Sequence, residues 1–203
     1  DPHTSQTSPA LAGDPGTCSN GVFDGTDDYL YIPDGENLDN LSQMTISAWI
    51  RADSFNQTNG FTSRGIISKG PAGGGEVSCG VFFDNSSGNK LQVDIDGSND
   101  RFSSNTSFAV DTWYHIAIVF DGVQAANQRV KLYVNGVLDG TFSESSNIIP
   151  NTNDDFYIGN LLTASNDLNV FDGAIDEVNF SQFALSSAEI SDLMNTTREC
   201  TVP

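Results

Sequence analysis

Short apolar runs alternate with clusters of Gly, Asn, Asp and Ser along the whole chain. Val22-Phe23, Tyr29–Ile32, Met44–Arg51, Gly65–Lys69, Val77–Phe83, Leu91–Ile95, Trp113–Phe120, Val130–Val134, Phe156–Gly159 and Ala174–Phe180 are strand-like runs between turn-forming residues. Period-two patterning predicts which way their side chains point. Leu91, Val93 and Ile95 share one face, and Gln92, Asp94 and Asp96 share the other. Val130, Leu132 and Val134 likewise oppose Lys131, Tyr133 and Asn135. Strands with one wet face belong to antiparallel sheets. Asn135-Gly136, set between Leu132–Val134 and Val137-Leu138, predicts a two-residue hairpin. Trp113–Phe120 is apolar on both faces and predicts a central strand, with His115 as a hydrogen-bonded structural residue inside it.

One helix is predicted, over 186–195. Ser186 and Glu189 form a capping box, and Ile190, Leu193 and Met194 supply an apolar stripe that should seat on the sandwich edge. About ten to fourteen short strands with closely spaced turns and one short C-terminal helix predict an all-β fold, an antiparallel β-sandwich or jelly roll. At 203 residues the chain can bury a core without staples, and 18–203 reads as one domain. Residues 1–17, rich in Pro, Ser, Thr, Gly and Asp, read as a linker or N-terminal strap. Their start reads as that of a mature or excised segment.

Charge narrows the partners. The net charge is −19 with only 8 Lys plus Arg, so no sizeable basic patch can form, and neither nucleic acid nor an anionic membrane surface is an expected partner. No apolar run approaches the roughly 20 residues that span a bilayer, so no membrane insertion is expected. Such acidity suits Ca²⁺ binding, a high-salt habitat or plain solubility.

The three cysteines divide by context. Cys79 shares a face with Val77, Val81 and Phe83 and is expected in the core as a small hydrophobe. Cys18 and Cys200 flank the folded body, and a disulfide between them would tie the ends together and imply an oxidising compartment. Three unpaired thiols in a reducing compartment is the competing reading.

The stretch Phe171-Asp172-Gly173-Ala174-Ile175-Asp176-Glu177-Val178-Asn179-Phe180 raises a candidate site. Uninterrupted alternation puts Ala174, Asp176, Val178 and Phe180 on one face, so Asp176 needs a cation, N–H donors, an Arg51 or Arg129 partner, or greater exposure. Asp24, in Phe23-Asp24-Gly25-Thr26-Asp27-Asp28-Tyr29, is the candidate second ligand of one shared Ca²⁺.

Several blocks occur in order: Phe23-Asp24-Gly25, Met44–Ile50, Ile66–Gly70, Thr112–Ala117, Lys131–Gly136, Tyr157-Ile158-Gly159, Phe171–Val178 and Ala184–Ile190. This series resembles the laminin-G-like, concanavalin-A-like jelly-roll domains of secreted and cell-surface proteins. The resemblance implies two curved antiparallel sheets with the first and last strands adjacent. It further implies a structural cation site near those strands, carried here by Asp24 and Asp176. It also implies an extracellular binding or adhesion module with flanking domains in a larger chain.

Enzymes share this sandwich, so catalysis needs its own test. The sandwich glucanases use Glu-x-Asp-x-x-Glu on one strand, and no such string occurs. A lyase set of Arg, His and Tyr, a Gly-x-Ser-x-Gly elbow and a base for Cys79 are also missing. Asp94–Asp100 imitates the start of an EF-hand loop, but its twelfth position is Asn105 and its flanks are strands. The polar loop 53–62 offers Phe55 and Phe61 for sugar stacking, with Asn56 and Asn59 as hydrogen-bonding partners. These readings converge on a non-catalytic extracellular recognition or adhesion module that binds glycan or protein at a surface and carries a structural calcium ion. A structural spacer in a large adhesin or pilus-associated protein, and a glycoside hydrolase or polysaccharide lyase, are the alternatives.

Overall fold

The computed structural model describes residues 3–5, 20–55, 63–70, 78–84, 87–96, 102–162 and 168–195. Its first strands are β1 (His3–Ser5), β2 (Asn20–Asp24), β3 (Leu30–Ile32), β4 (Gln43–Ala52) and β5 (Ser63–Lys69). They are followed by β6 (Cys79–Asp84), β7 (Lys90–Ile95), β8 (Phe102–Ser107), β9 (Trp113–Asp121) and β10 (Val130–Val134). The remainder are β11 (Val137–Phe142), β12 (Phe156–Ile158), β13 (Asn160–Leu162), β14 (Leu168–Val170), β15 (Asp172–Ser181) and helix α1 (Ser187–Asn195).

Two antiparallel sheets face each other. The seven-stranded sheet has the order β1-β2-β15-β4-β9-β10-β11, and the six-stranded sheet the order β3-β12-β5-β6-β7-β8. The sandwich and the adjacency of first and last strands are as expected, since β15 pairs with β2 from Asp172↔Asp24 to Ile175↔Gly21. Residues 3–5, within the expected strap, add the outermost strand to that sheet.

Alternation builds the core. Ile46, Ile50, Ile116, Ile118, Phe120 and Leu132 meet Ile67, Val81, Phe83, Leu91 and Val93 across the two sheets. Asn135 and Gly136 both adopt left-handed backbone (φ 50° and 73°), which matches the right-handed twist of the hairpin they close between Val134 and Val137. One open side of the sandwich is closed by Phe102 stacked on Phe142 at 5.1 Å. Beside it, the Asp139 carboxylate of β11 accepts the backbone N–H groups of Asn105 (2.6 Å) and Thr106 (2.9 Å) on β8.

The hairpin β13–β14 lies over the outer face of the six-stranded sheet. Gly65 of β5 makes room for it: a Cβ there would sit 2.0 Å from the Leu161 nitrogen. Cys79 is a buried free thiol, and burial pushes its pKa up to about 12, so it is an inert packing residue. Cys18 and Cys200 lie outside the described residues.

Two expectations change. Helix α1 forms with the expected capping box, Ser186 N donating to Glu189 (2.8 Å), but it does not seat on the sandwich edge. Ile190 instead packs on the outer face of the seven-stranded sheet against Ala117, Val119 and Tyr133. That is why β9 is apolar on both sides. The other correction concerns β15. Asp176 pairs with Trp49, but Asn179 pairs with Ser47, so three steps on β15 match two on β4. Glu177, at φ 48°, absorbs the extra residue. The bulge flips the alternation: Ile175 and Phe180 face the core, and Asp176 points outward with Trp49. Asp176 and Phe180 therefore do not share a face.

Candidate functional site

Asp24 closes β2, and Gly25 turns the chain with φ 71°. A side chain at Gly25 would place its Cβ 2.5 Å from the Arg64 guanidinium, so the turn needs glycine for conformation and for space. Within the turn the Asp24 carboxylate accepts the Thr26 N–H at 2.8 Å, and the Asp28 carboxylate accepts the Asp24 N–H at 3.3 Å. This folding back gathers Asp24, Asp27 and Asp28, with one oxygen from each lying within 4.8 Å of the others. Asp28 is buried, while Asp24 and Asp27 are exposed.

The ladder partner of Asp24 is Asp172, not Asp176. Asp176 lies four residues further along β15, about 13 Å at the usual strand rise, and its carboxylate accepts the N–H of Glu177 at 2.8 Å. The expected Asp24–Asp176 pair is therefore not brought together. The negative charge concentrates on the acidic turn and Asp172 instead. Burial raises the Asp172 carboxyl above the ordinary range, Arg64 opposes that rise, and the charges of Asp53 and Asp24 add to it. Arg64 spans the site from β5. It donates to the Gly25 carbonyl (3.2 Å) and the Val170 carbonyl (3.4 Å), and reaches Asp172 at 3.4 Å.

The oxygen spacing fits a divalent cation. Ca²⁺ takes six to eight oxygens at about 2.3–2.6 Å, so an ion can touch oxygens spaced up to roughly 4.8 Å apart. Three carboxylates, the carbonyls of the turn and water can supply such a shell.

Next to this turn the chain enters β3, the edge of the six-stranded sheet. Alternation sets Tyr29 and Tyr31 on the outer face, and the register places Tyr31 opposite Tyr157 of β12. The ring centroid of Tyr157 lies 5.8 Å from that of Tyr29 and 6.4 Å from that of Tyr31. Tyr31 is 58% exposed. Burial, then the charges of Asp155 and Asp154 and the neighbouring tyrosines, raises the Tyr157 hydroxyl pKa, so that phenol stays a neutral donor and acceptor at physiological pH. Three tyrosines thus form an amphipathic platform at a sheet edge.

Of the four residues expected to bind sugar in loop 53–62, only Phe55 is among the described residues. Phe55 turns inward, its ring edge-to-face with Phe83 at 4.8 Å and packed against the core, so it is no free stacking face. Asn56, Asn59 and Phe61 lie outside the described residues. His115 is buried beside Trp49 (5.5 Å between rings), as expected of a structural residue; its backbone N–H donates to Asn135 Oδ1 (2.9 Å), and its ring Nδ1 has no hydrogen-bond partner among the described residues. The tyrosine platform was missed because Tyr157 joins it only through strand pairing. Asp27 and Asp28 stood in plain view beside Asp24. Arg64 had no sequence signal at all.

Comparison with known proteins agrees with this architecture. A family model described as concanavalin A-like lectin/glucanases superfamily matches residues 24–191. No curated protein matches the chain in sequence. Among solved structures, domain 4 of the extracellular arabinanase AbnA from Geobacillus stearothermophilus, in complex with arabinotriose, superposes with a TM-score of 0.65 at 18% identity, over 96% of this chain and 82% of that one. The CBM40 of the Ruminococcus gnavus IT-sialidase, bound to α2,3-sialyllactose, gives 0.62 at 16% identity, over 84% and 97%. A putative carbohydrate binding protein from Bacteroides ovatus gives 0.66 at 18% identity, over 85% of this chain but only 45% of that one. Likeness at such identities establishes the fold. Among the described residues no helix is long and apolar enough to cross a membrane.

Proposed function

The chain belongs to the concanavalin A-like lectin/glucanases superfamily, and from that premise we propose that it is a non-catalytic glycan-binding module of a secreted or cell-surface protein with flanking domains. The observation that carries the reading is the tyrosine platform of Tyr29, Tyr31 and Tyr157 beside the acidic turn. A sugar ring presents C–H groups on one face and hydroxyls around its rim. Tyr31 offers an exposed ring for the first, and the phenol hydroxyls and the carboxylates of Asp154 and Asp155 offer partners for the second. Ca²⁺ held by Asp24, Asp27 and Asp28 would stiffen the turn that leads into Tyr29. Support also comes from the company the fold keeps, since the similar domains named above are described as binding arabinotriose, sialyllactose or carbohydrate in general.

The test is a glycan array followed by calorimetry with the wild-type protein, Tyr31→Ala and Asp27→Asn. Tyr31→Ala should weaken binding by about 1–3 kcal/mol, the scale of one lost stacking contact. Removing calcium should lower the melting temperature, because an ion at 100 times its dissociation constant adds about 2.7 kcal/mol. Asp27→Asn should shrink that difference. A glycan bound equally well by wild type and Tyr31→Ala would remove the platform from the account. Identical melting with Ca²⁺ and with chelator would remove the ion.

A further inference from the structure

The two flanks of the sandwich are finished differently. At one, the edge strands β8 and β11 are joined by the stacked Phe102 and Phe142 and by the Asp139 carboxylate. At the other, β3 is the edge of the six-stranded sheet. β12 pairs with one side of it, and among the described residues no strand pairs with the other. That side of β3 presents backbone N–H and C=O groups to which a further strand can bond.

The side chains of β3 are as incompletely covered as its backbone. Ile32 pairs with Phe156 and Leu30 with Ile158, residues that sit in or against the core, so Leu30 and Ile32 lie on the interior side of the sheet. Yet they are 44% and 51% exposed, and neither belongs to the core cluster. Charge is distributed unevenly around them. Asp24 and Asp27 are exposed before the strand. Asp34, whose Oδ1 meets Lys69, and Glu36 are exposed after it. β12 carries no charged residue, and the basic residues of β5 beyond it, Arg64 and Lys69, are buried and already engaged. A Ca²⁺ on the acidic turn would offset one end and leave Asp34 and Glu36 at the other.

We propose that β3 takes up an extended, basic segment of a partner protein as an added strand. The backbone of that segment pairs with the open side of β3, its alternate aliphatic side chains cover Leu30 and Ile32, and Lys or Arg near its ends meets the flanking carboxylates. A second copy of this chain fits less well, since it brings the same acidic flanks to the same edge. Pro33 ends β3, so the added strand is short. The inference goes beyond the glycan reading. It uses the open edge and inner side of β3, whereas the platform uses the outer face that carries Tyr31 and Tyr157.

The experiment is titration of the whole protein, in calcium-containing buffer, with acetyl-Lys-Val-Thr-Val-Thr-Val-Lys-amide and with the same peptide carrying Glu in place of both Lys, read as amide NMR shifts. Seven residues extend over roughly 23 Å at the usual strand rise, enough to set a lysine beyond each end of β3. The lysine peptide should shift the amides of 29–33 and 156–158 and bind about tenfold tighter than the glutamate peptide, a difference that added salt narrows. Ile32→Lys, at a half-exposed edge position, should abolish binding of the lysine peptide with the melting temperature preserved. Glu36→Gln should weaken it about two- to fivefold, the range of one exposed ion pair. A glycan bound at the platform should bind Ile32→Lys as it binds wild type, which separates the edge from the platform. Absence of shifts, or equal affinity for the two peptides, overturns the proposal. So does a concentration-dependent dimer in sedimentation that Ile32→Lys dissolves, because it assigns the edge to a second copy.

Discussion

Arg64 and Lys69 lie on the same strand, β5, and both are buried to 2% exposure. Their surroundings differ. Lys69 pairs with the carboxylates of Asp34 (2.8 Å) and Asp39 (3.0 Å) and donates to the Thr152 carbonyl (2.7 Å). Burial pulls its pKa down, and the two carboxylates more than offset that. Arg64 relies largely on carbonyl dipoles, with Asp172 as its carboxylate, and burial leaves its pKa below the usual value. A guanidinium tolerates this because its pKa starts above 12, and its fork spreads across several acceptors. An ammonium in the same place would lean toward the neutral form. His115 is the end of the series. It is buried with no carboxylate partner, and burial alone lowers its pKa to about 4. The acceptors supplied to a buried basic group thus decide whether it keeps its proton.

The largest effect should come from breaking the Lys69 site. Lys69→Met leaves Asp39 buried without its countercharge and should cost roughly 3–5 kcal/mol of unfolding free energy. Arg64→Met, which orphans carbonyls, should cost about 1–3 kcal/mol. Chemical denaturation of the two variants gives the order directly. Adding Asp39→Asn to Lys69→Met should recover part of the loss, and equal losses at the two positions would abolish the distinction drawn here.

Next in size is the histidine. Its folded pKa lies below the unfolded value near 6.5, so the folded state binds fewer protons. The stability it contributes is complete above pH 6.5 and falls as the pH drops through about 4. The loss across that window should be on the order of 3 kcal/mol. His115→Gln should flatten this part of the pH–stability curve. If wild type and variant lose stability in parallel between pH 6.5 and 4, the imidazole is not the group responsible.

The smallest effect sharpens the comparison through its sign. The hydrogen bond from Lys69 lowers the Asp34 pKa, so the stability Asp34 contributes exists above pH 3.8 and is lost as the pH falls through the lowered value. Asp172 behaves oppositely. Burial raises its pKa, so its contribution is complete below pH 3.8 and is lost as the pH rises through the raised value. At neutral pH, Asp34→Asn should lower the melting temperature and Asp172→Asn should leave it level or raise it. A drop of similar size in both would mean that the Arg64 pair stabilises the fold as the Lys69 pairs do.

The physics of local pattern was enough to read the sandwich. Alternation located the core faces of β7, β9 and β10, Asn135-Gly136 closed its hairpin, and Ser186 with Glu189 began the helix. These signals are legible because they involve residues within a few positions of one another. The same reasoning failed at β15, where alternation was carried straight through Asp176 to Phe180. A bulge costs one residue with positive φ at Glu177 and leaves no mark in the hydrophobic pattern. Only pairing with β4 revealed it, and with it the separation of Asp176 from Asp24. The remaining decisions were tertiary in the same sense. Tyr157 reached Tyr31 through the β3–β12 register, Arg64 reached Gly25 and Asp172 across the sandwich, and α1 settled over Lys131 and Tyr133. Each joins residues distant in sequence, whose proximity is set by sheet register and layer packing rather than by the preferences of either segment.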